Sequence, residues 1–315
     1  VLIHPLIAAN AHRTRKGHLV LFFIILVGNA GGALTPIGNP PLYMGFLEGV
    51  PFFWPLRHLG PPLAILAALL LALFHAVDRR LARREPAAPS REPLHVRGWH
   101  NAALIVIVVA TVLLQARIGG TLTLAGQSVP TGRVAAVLVF LAVTGVSILT
   151  TPRAVHRGND FSWHPMAEVA LLFAAILITI APVLRMLEAG RAGPFAPVLA
   201  LLQDGQGRPL PGAFFWLTGL LSAFLDNAQT YLVFLGLAEI RPDALHVAPS
   251  VVLQAVSAGA VFFGALTYIG NAPNMMVRAI AAHRGVRMPG FFAFTAIAGE
   301  VLLPLFAVLT ALFFR

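Results

Sequence analysis

Of 315 residues, 58% are hydrophobic and 11% are charged, against roughly 25% charged in ordinary soluble domains. With a mean hydropathy of +0.82, this composition excludes a soluble globular domain and implies an all-α polytopic membrane protein. The net charge of +10 does not imply nucleic acid, because the arginines gather in short runs beside apolar segments, the positive-inside pattern of membrane loops; the absence of cysteine excludes disulfides and thiolate metal sites.

The chain starts at Val1 without methionine or a signal-peptide pattern, which suggests that an N-terminal part is missing. The first span is predicted over 19–47, but it is interrupted. "HLVLFFIILVGNAGGA", from His18, gives way to "LTPIGNPPL" at 34–42. There a threonine, a glycine, an asparagine and three prolines stand where hydrocarbon should continue. A second span is predicted at 61–77, its start marked by Gly60-Pro61-Pro62, since proline suits the first helical turn. "DRRLARREP" at 78–86 and the proline-rich "REPAAPSREP" at 84–93 form a basic linker over 78–98. It divides 1–77, the remainder of a first repeat, from 99–315, a second repeat.

Further spans are expected at 100–117, 134–149 and 165–188, the last opening at His164-Pro165. "LLQDGQGRPLPG" at 201–212 reads as a surface loop from its glycines and prolines. The run 213–238 follows, then 251–277, then a last span at 290–312. The stretch 251–277 carries a second interruption, "LTYIGNAPNMM" at 266–276, with the same order of Leu-Thr, two residues, Gly-Asn and proline. Trp54, Trp99, Trp163 and Trp216 all fall near span ends, where interfacial belts put tryptophan.

The arginines of the linker place it in the cytoplasm. Read as one plain span, 213–238 would leave the basic residues almost evenly divided between the two sides. Read as a re-entrant hairpin turning at "DNAQT", it puts more of them inside. The hairpin also accounts for the polar tip, because irregular backbone at membrane depth must line a protein cavity. The two interrupted helices then run in opposite directions, as in an inverted-topology repeat with its site near the midplane.

Three segments carry a family likeness: "GNAGGALTPIGNPPL" (28–42), "SAFLDNAQTYLVF" (222–234) and "YIGNAPNMMVRAIA" (268–281). They resemble the ion transporter superfamily, and within it the citrate transporters commonly labelled sodium:proton antiporters. The membrane subunits of arsenite pumps and the sodium–dicarboxylate transporters are more distant relatives. The resemblance covers essentially the whole chain. It implies two repeats, each with a hairpin and a broken helix whose tip and break bind the ion, in a multi-pass protein of the cytoplasmic (inner) membrane. It also implies that most of the first hairpin precedes Val1, "VLIHPLIAAN" being the tail of its second arm.

Asp226 and Asn227 are the sharpest candidates for the site. An ionisable residue at membrane depth is expensive and by default functional, and a hard cation prefers oxygen ligands; the alternative is that Asp226 caps the second arm of the hairpin. Na+ is therefore assigned to Asp226, Asn227 and Asn271. Ser222 and Thr230 flank the tip one helical turn away, where each hydroxyl either joins the site or bonds back to its own helix. Thr35, Asn39, Thr267, Asn271 and Asn274 populate the breaks, to bind ion or substrate or to satisfy unwound backbone. Gly28, Gly38 and Gly270 are read as allowing close approach, and Pro36, Pro40, Pro41 and Pro273 as holding the breaks open. Glu300, midway along the last span, and Glu168 are candidate proton carriers; the alternatives are a polar partner elsewhere for Glu300 and complementing a helix N-terminus for Glu168.

The leading expectation is secondary Na+/H+ antiport, with Na+ or H+ as coupling ions and no other cofactor. The alternative keeps the fold and makes the cargo citrate, another carboxylate or arsenite, coupled to Na+ or H+. An intramembrane enzyme is disfavoured, because no H-E-x-x-H zinc motif occurs, and a pump subunit would leave the midplane polarity unexplained. The expected partners are the lipid bilayer and a small inorganic cation or carboxylate, with no nucleic acid and with a homodimer left open.

Overall fold

The structure, a computed structural model, describes residues 3–83, 85, 98–124, 126–158, 163, 192–238 and 251–315, with scattered positions between 167 and 189. Most of the span expected at 165–188, most of the linker at 84–93 and the residue Glu168 lie outside the described residues. Among the described residues, four helices are long and apolar enough to cross a membrane: Gly17–Leu34, Trp54–Ala82, Thr131–Thr150 and Phe291–Phe313. The chain divides into two compact units, Val1–Pro89 with His164–Arg315, and Ser90–Trp163.

In the smaller unit, the helices Asn101–Leu114 and Thr131–Thr150 pack together. Asn101 ties them, donating through Nδ2 to Thr151 Oγ1 at 3.0 Å and accepting from Ser147 Oγ at 2.9 Å. Between these helices runs an antiparallel ribbon, Thr121–Leu124 against Gln127–Pro130, with Leu122 opposite Val129. Alternating threonine and leucine suits a short strand pair. Across both helices the large apolar residues point outward, as Ile105, Val106, Leu138 and Leu141 do, an exterior that suits lipid.

The larger unit holds both interrupted helices. Gly17–Leu34 begins as an α-helix, widens to a π-helix over Phe23–Asn29 and tightens to a 3-10 turn over Ala30–Leu34. After the break the chain resumes as Pro40–Leu47. The next helix starts earlier than the proline pair suggested. It runs from Trp54 to Ala82 with Pro55 in its first turn, and Pro61 and Pro62 lie inside it. Pro62 has no N–H for the carbonyl four residues back, and that carbonyl, of His58, instead accepts from Gln254 Nε2 at 2.6 Å. At 29 residues the helix is about 43 Å long, which exceeds the ~30 Å hydrocarbon core and requires tilt or protrusion.

The run 213–238 forms two helices, Pro211–Phe224 and Asn227–Leu237, of 14 and 11 residues. At about 21 and 16 Å, neither spans a core of ~30 Å. Phe214 and Phe234 meet edge to face with ring centroids 6.5 Å apart, whereas the same positions on one straight helix would lie about 30 Å apart. The chain therefore turns back at Leu225-Asp226. Two glycines let the first arm lie closely on the helix Val251–Phe263. A Cβ on Gly259 would come 2.6 Å from the carbonyl oxygen of Phe215, and one on Gly219 would strike the Phe263 ring. Small residues at helix contacts are how membrane proteins gain packing without a hydrophobic drive. Beside this contact an aromatic cluster joins the arm to the last span, with Phe263 stacked on Phe306 at 4.3 Å and Phe215 on Phe314 at 4.7 Å. Trp54 and Trp216 also turn inward, Trp54 onto His58 and Trp216 to Thr310 Oγ1 at 2.9 Å, while Trp99 and Trp163 remain exposed.

A polar clamp holds the turn before the first interrupted helix. Asp78 accepts from Arg13 and contacts His18 Nε2 at 2.9 Å. Glu85 accepts from the Thr14 N–H at 2.7 Å, from its hydroxyl at 2.8 Å, and from the Arg15 N–H at 2.9 Å. These bonds, the Thr14 amide foremost, hold the Glu85 carboxyl below its ordinary value. A depressed folded pKa stabilises the clamp above the ordinary glutamate pKa of ~4.3 and loses that stabilisation as pH falls through the folded value. Hydrogen-exchange protection of the Thr14 and Arg15 amides should therefore persist at neutral pH and collapse on acidification. In Glu85→Gln it should be weak at both.

Candidate ion and substrate site

The two breaks share a backbone. Asn39 has φ −153° and ψ 136°, and Asn271 has φ −152° and ψ 133°. Each stands immediately before the resumed helix, and neither side chain caps it. Their carboxamides are thus left for other partners. The prolines that follow, Pro40 and Pro41 in one and Pro273 in the other, occupy the first helical positions, where a missing N–H costs nothing. Inside each break the chain folds tightly on itself. A Cβ on Gly38 would lie 2.7 Å from the Gly32 carbonyl oxygen, and one on Gly270 2.8 Å from that of Gly264. Pro36 sits in the turn closed by Gly38 N–H on the Thr35 carbonyl at 3.0 Å.

The surroundings of the two breaks differ. Gly270 is buried and faces the end of the first hairpin arm, where its Cβ would lie 3.0 Å from the Ala223 carbonyl oxygen and 3.1 Å from that of Ser222. Thr267 closes this corner. Its hydroxyl donates to the Ala223 carbonyl and accepts the Gly270 N–H at 2.9 Å. Carbonyl and hydroxyl oxygens therefore gather beside Gly270. At the first break Gly38 is exposed and Thr35 only partly buried, with no side-chain hydrogen bond from Thr35 among the described residues.

At the hairpin tip, Asp226 is the N-cap of the second arm, and its Oδ1 accepts from the Ala228 N–H at 2.9 Å. The side chain is partly buried. The fully buried tip residue is Asn227. Its Nδ2 donates to Asn39 Oδ1 at 3.0 Å, joining the tip to the first break. Thr230 bonds back to the Asp226 carbonyl at 3.1 Å, and Ser222 crosses to the Ala260 carbonyl at 2.8 Å.

Around the second break, Asn274 donates to the carbonyls of Gly264 and Thr267 at 2.7 and 2.9 Å. Asn29 links it to Asn271, donating to Asn274 Oδ1 at 2.8 Å and accepting from Asn271 Nδ2 at 3.0 Å. Gly28 is beside this network, its carbonyl 3.4 Å from Asn271 Nδ2. The structure thus brings Asn39 and Asn227 together, and separately Asn271 and Asn274. Sequence reasoning missed Asn29, although it lies in the quoted "GNAGG". A polar residue one or two turns before a break is the signal that would have found it. Glu300 is exposed and makes no hydrogen bond or ion pair among the described residues; no bond ties it to the amides.

Buried amides at two helix interruptions, in a chain whose described residues include four helices long and apolar enough to cross a membrane, define a polytopic membrane protein. The chain belongs to the family described as "Putative citrate transport", whose model matches residues 1–314, so the resemblance read from three motifs holds over the whole chain. Among the curated proteins, none matches it.

Proposed function

We propose that the protein is a carrier, not an enzyme, and that it moves a citrate-like carboxylate together with a cation. The observation that carries this reading is the buried pair Asn39–Asn227. Two primary amides joined by one hydrogen bond always leave one oxygen and one NH2 group over. Here those are Asn227 Oδ1 and Asn39 Nδ2, both buried and without hydrogen-bond partners among the described residues. Each such atom costs about 1–3 kcal/mol if nothing satisfies it. An acceptor suits a cation and a donor suits a carboxylate, so the pair has one group for each member of a co-transported couple. The oxygens beside Gly270, with Asp226, Asn227 and Asn271, supply the hard ligands that Na+ prefers.

The matching backbones at Asn39 and Asn271 support an inverted repeat, with the site between the two breaks. A second reading, Na+/H+ antiport without citrate, draws on Asp226, a carboxylate at the tip that suits a cation or proton alone. The inner membrane is the proposed location for either.

The test is transport by the full-length protein in proteoliposomes, following labelled citrate and internal pH while external Na+ is stepped. Saturable citrate uptake that rises with Na+ is the expected result. Na+-driven proton movement with no citrate uptake would overturn it in favour of the second reading.

A further inference from the structure

Asn29 is completely buried at the end of the π-helical stretch Phe23–Asn29. The wide turn places its side chain against a carbonyl five residues back, and Nδ2 donates to Ile24 O at 2.8 Å. π-Bulges of this kind recur at functional positions. The same NH2 group donates to Asn274 Oδ1, and the Asn29 oxygen accepts from Asn271.

The direction of this relay is dictated by backbone. Carbonyls only accept, so the Asn274 NH2, lying between the Gly264 and Thr267 carbonyls, cannot exchange places with its oxygen. The Asn274 oxygen must therefore face Asn29. That requires the Asn29 NH2 there, an orientation the Ile24 carbonyl enforces independently. The Asn29 oxygen is then turned to Asn271, whose NH2 it holds. What remains of Asn271 is its oxygen, directed away from Asn29.

We propose that Asn29 is a positioning residue: through this relay it fixes the Asn271 carboxamide so that an oxygen, and not an NH2 group, is presented to the coupling cation. The inference rests on the cation-coupled reading above and adds to it the residue that sets the sign of one ligand. Without Asn29 only the longer contact to the Gly28 carbonyl, at 3.4 Å, holds the Asn271 NH2 group, so the amide spends part of its time offering a donor, which repels a cation.

The test compares Asn29→Ala with Asn29→Asp in the full-length protein. Cation half-saturation is read in two ways: from labelled citrate uptake, and from thermal stabilisation of the solubilised protein by Na+ against choline, which reports binding without transport. N29A should raise the Na+ half-saturation about tenfold, or ~1.4 kcal/mol, and leave that for citrate unchanged. N29D still accepts from Asn271 and so should keep the Na+ half-saturation low, although it loses both donor contacts. A merely structural role predicts the reverse order, because a buried charge harms packing more than a truncation. In an Asn271→Ala background, N29A should add nothing, as residues acting through one group are not additive.

If N29A does not assemble, Asn29→Ser takes its place, since the shorter hydroxyl cannot bridge Asn271 and Asn274. Equal shifts in both half-saturations, an N29D variant as impaired as N29A, or additivity with N271A would overturn the role of Asn29 alone. A wild-type protein that Na+ neither stabilises nor drives would overturn the proposed coupling and this inference with it.

Discussion

Asn227→Ala is expected to lower Na+-dependent citrate uptake at least about a hundredfold, which corresponds to ~2.7 kcal/mol. Two losses combine. The variant removes Asn227 Oδ1, the buried acceptor left over at the tip, and it strips Asn39 of its partner. Asn39 then has both an oxygen and an NH2 group buried without compensation, each costing about 1–3 kcal/mol. Assembly should survive, because the hairpin is also held by Phe214–Phe234 and by the glycine contacts of its first arm, which do not involve residue 227. Asn39→Ala is the informative comparison. It keeps the acceptor at 227 and loses the leftover donor, so it should raise the citrate half-saturation more than that for Na+. Equal impairment of both ligands by both variants would mean that the pair only holds the tip against the break. Wild-type uptake by N227A would remove the pair from the site.

The parts of this fold that were legible in sequence are those with a strong local signature. The repeated Leu-Thr-x-x-Gly-Asn pattern announced the breaks, because proline and asparagine have no other reason to recur inside apolar spans. The turn of the hairpin was legible from its polar tip in the middle of an apolar run; that neither arm is long enough to cross emerges only from the structure. What escaped depended on partners distant in sequence. Pro61 and Pro62 resemble a helix start, and the helix runs through them because Gln254 takes up the freed His58 carbonyl. No local rule foresees that bond.

The site was legible in kind and less so in detail. Asn39, Asn227, Asn271 and Asn274 are all buried, Asn39 and Asn227 bonded to each other, Asn271 to Asn29, and Asn274 to Asn29 and to break backbone. Which amides pair was not readable, since Asn39 meets Asn227, and Asn29 meets both Asn271 and Asn274, across more than 180 residues. From sequence, each hydroxyl at the tip is either a ligand or a group that bonds back to its own helix. Thr230 does bond back to its helix, whereas Ser222 reaches a different helix, which neither reading anticipated. Exposure, unlike polarity, was invisible for Glu300: periodicity places it on a face of the last span but does not say what covers that face.

Asp226→Asn should abolish Na+-dependent uptake while leaving the protein folded, and it separates two roles that sequence left entangled. As an N-cap, Asp226 receives the Ala228 N–H on Oδ1, and asparagine caps a helix about as well as aspartate. If capping were its whole task, D226N would transport normally. The carboxylate, however, carries the only negative charge in the hairpin and the two breaks. A charged oxygen contributes roughly twice as much to such a contact as a neutral one. Losing the charge should therefore cost coupling even with the cap intact. Asp226→Ala completes the series: it removes charge and cap together, and should show the same transport defect plus a stability loss of ~1 kcal/mol. Thermal midpoints of the three proteins in detergent, set beside uptake in proteoliposomes, read the two roles on separate axes. Glu300→Gln is the control, since Glu300 is exposed and unbonded among the described residues, and it should transport as wild type. Normal transport by D226N together with failure of E300Q would move the cation off the hairpin tip and onto the last span.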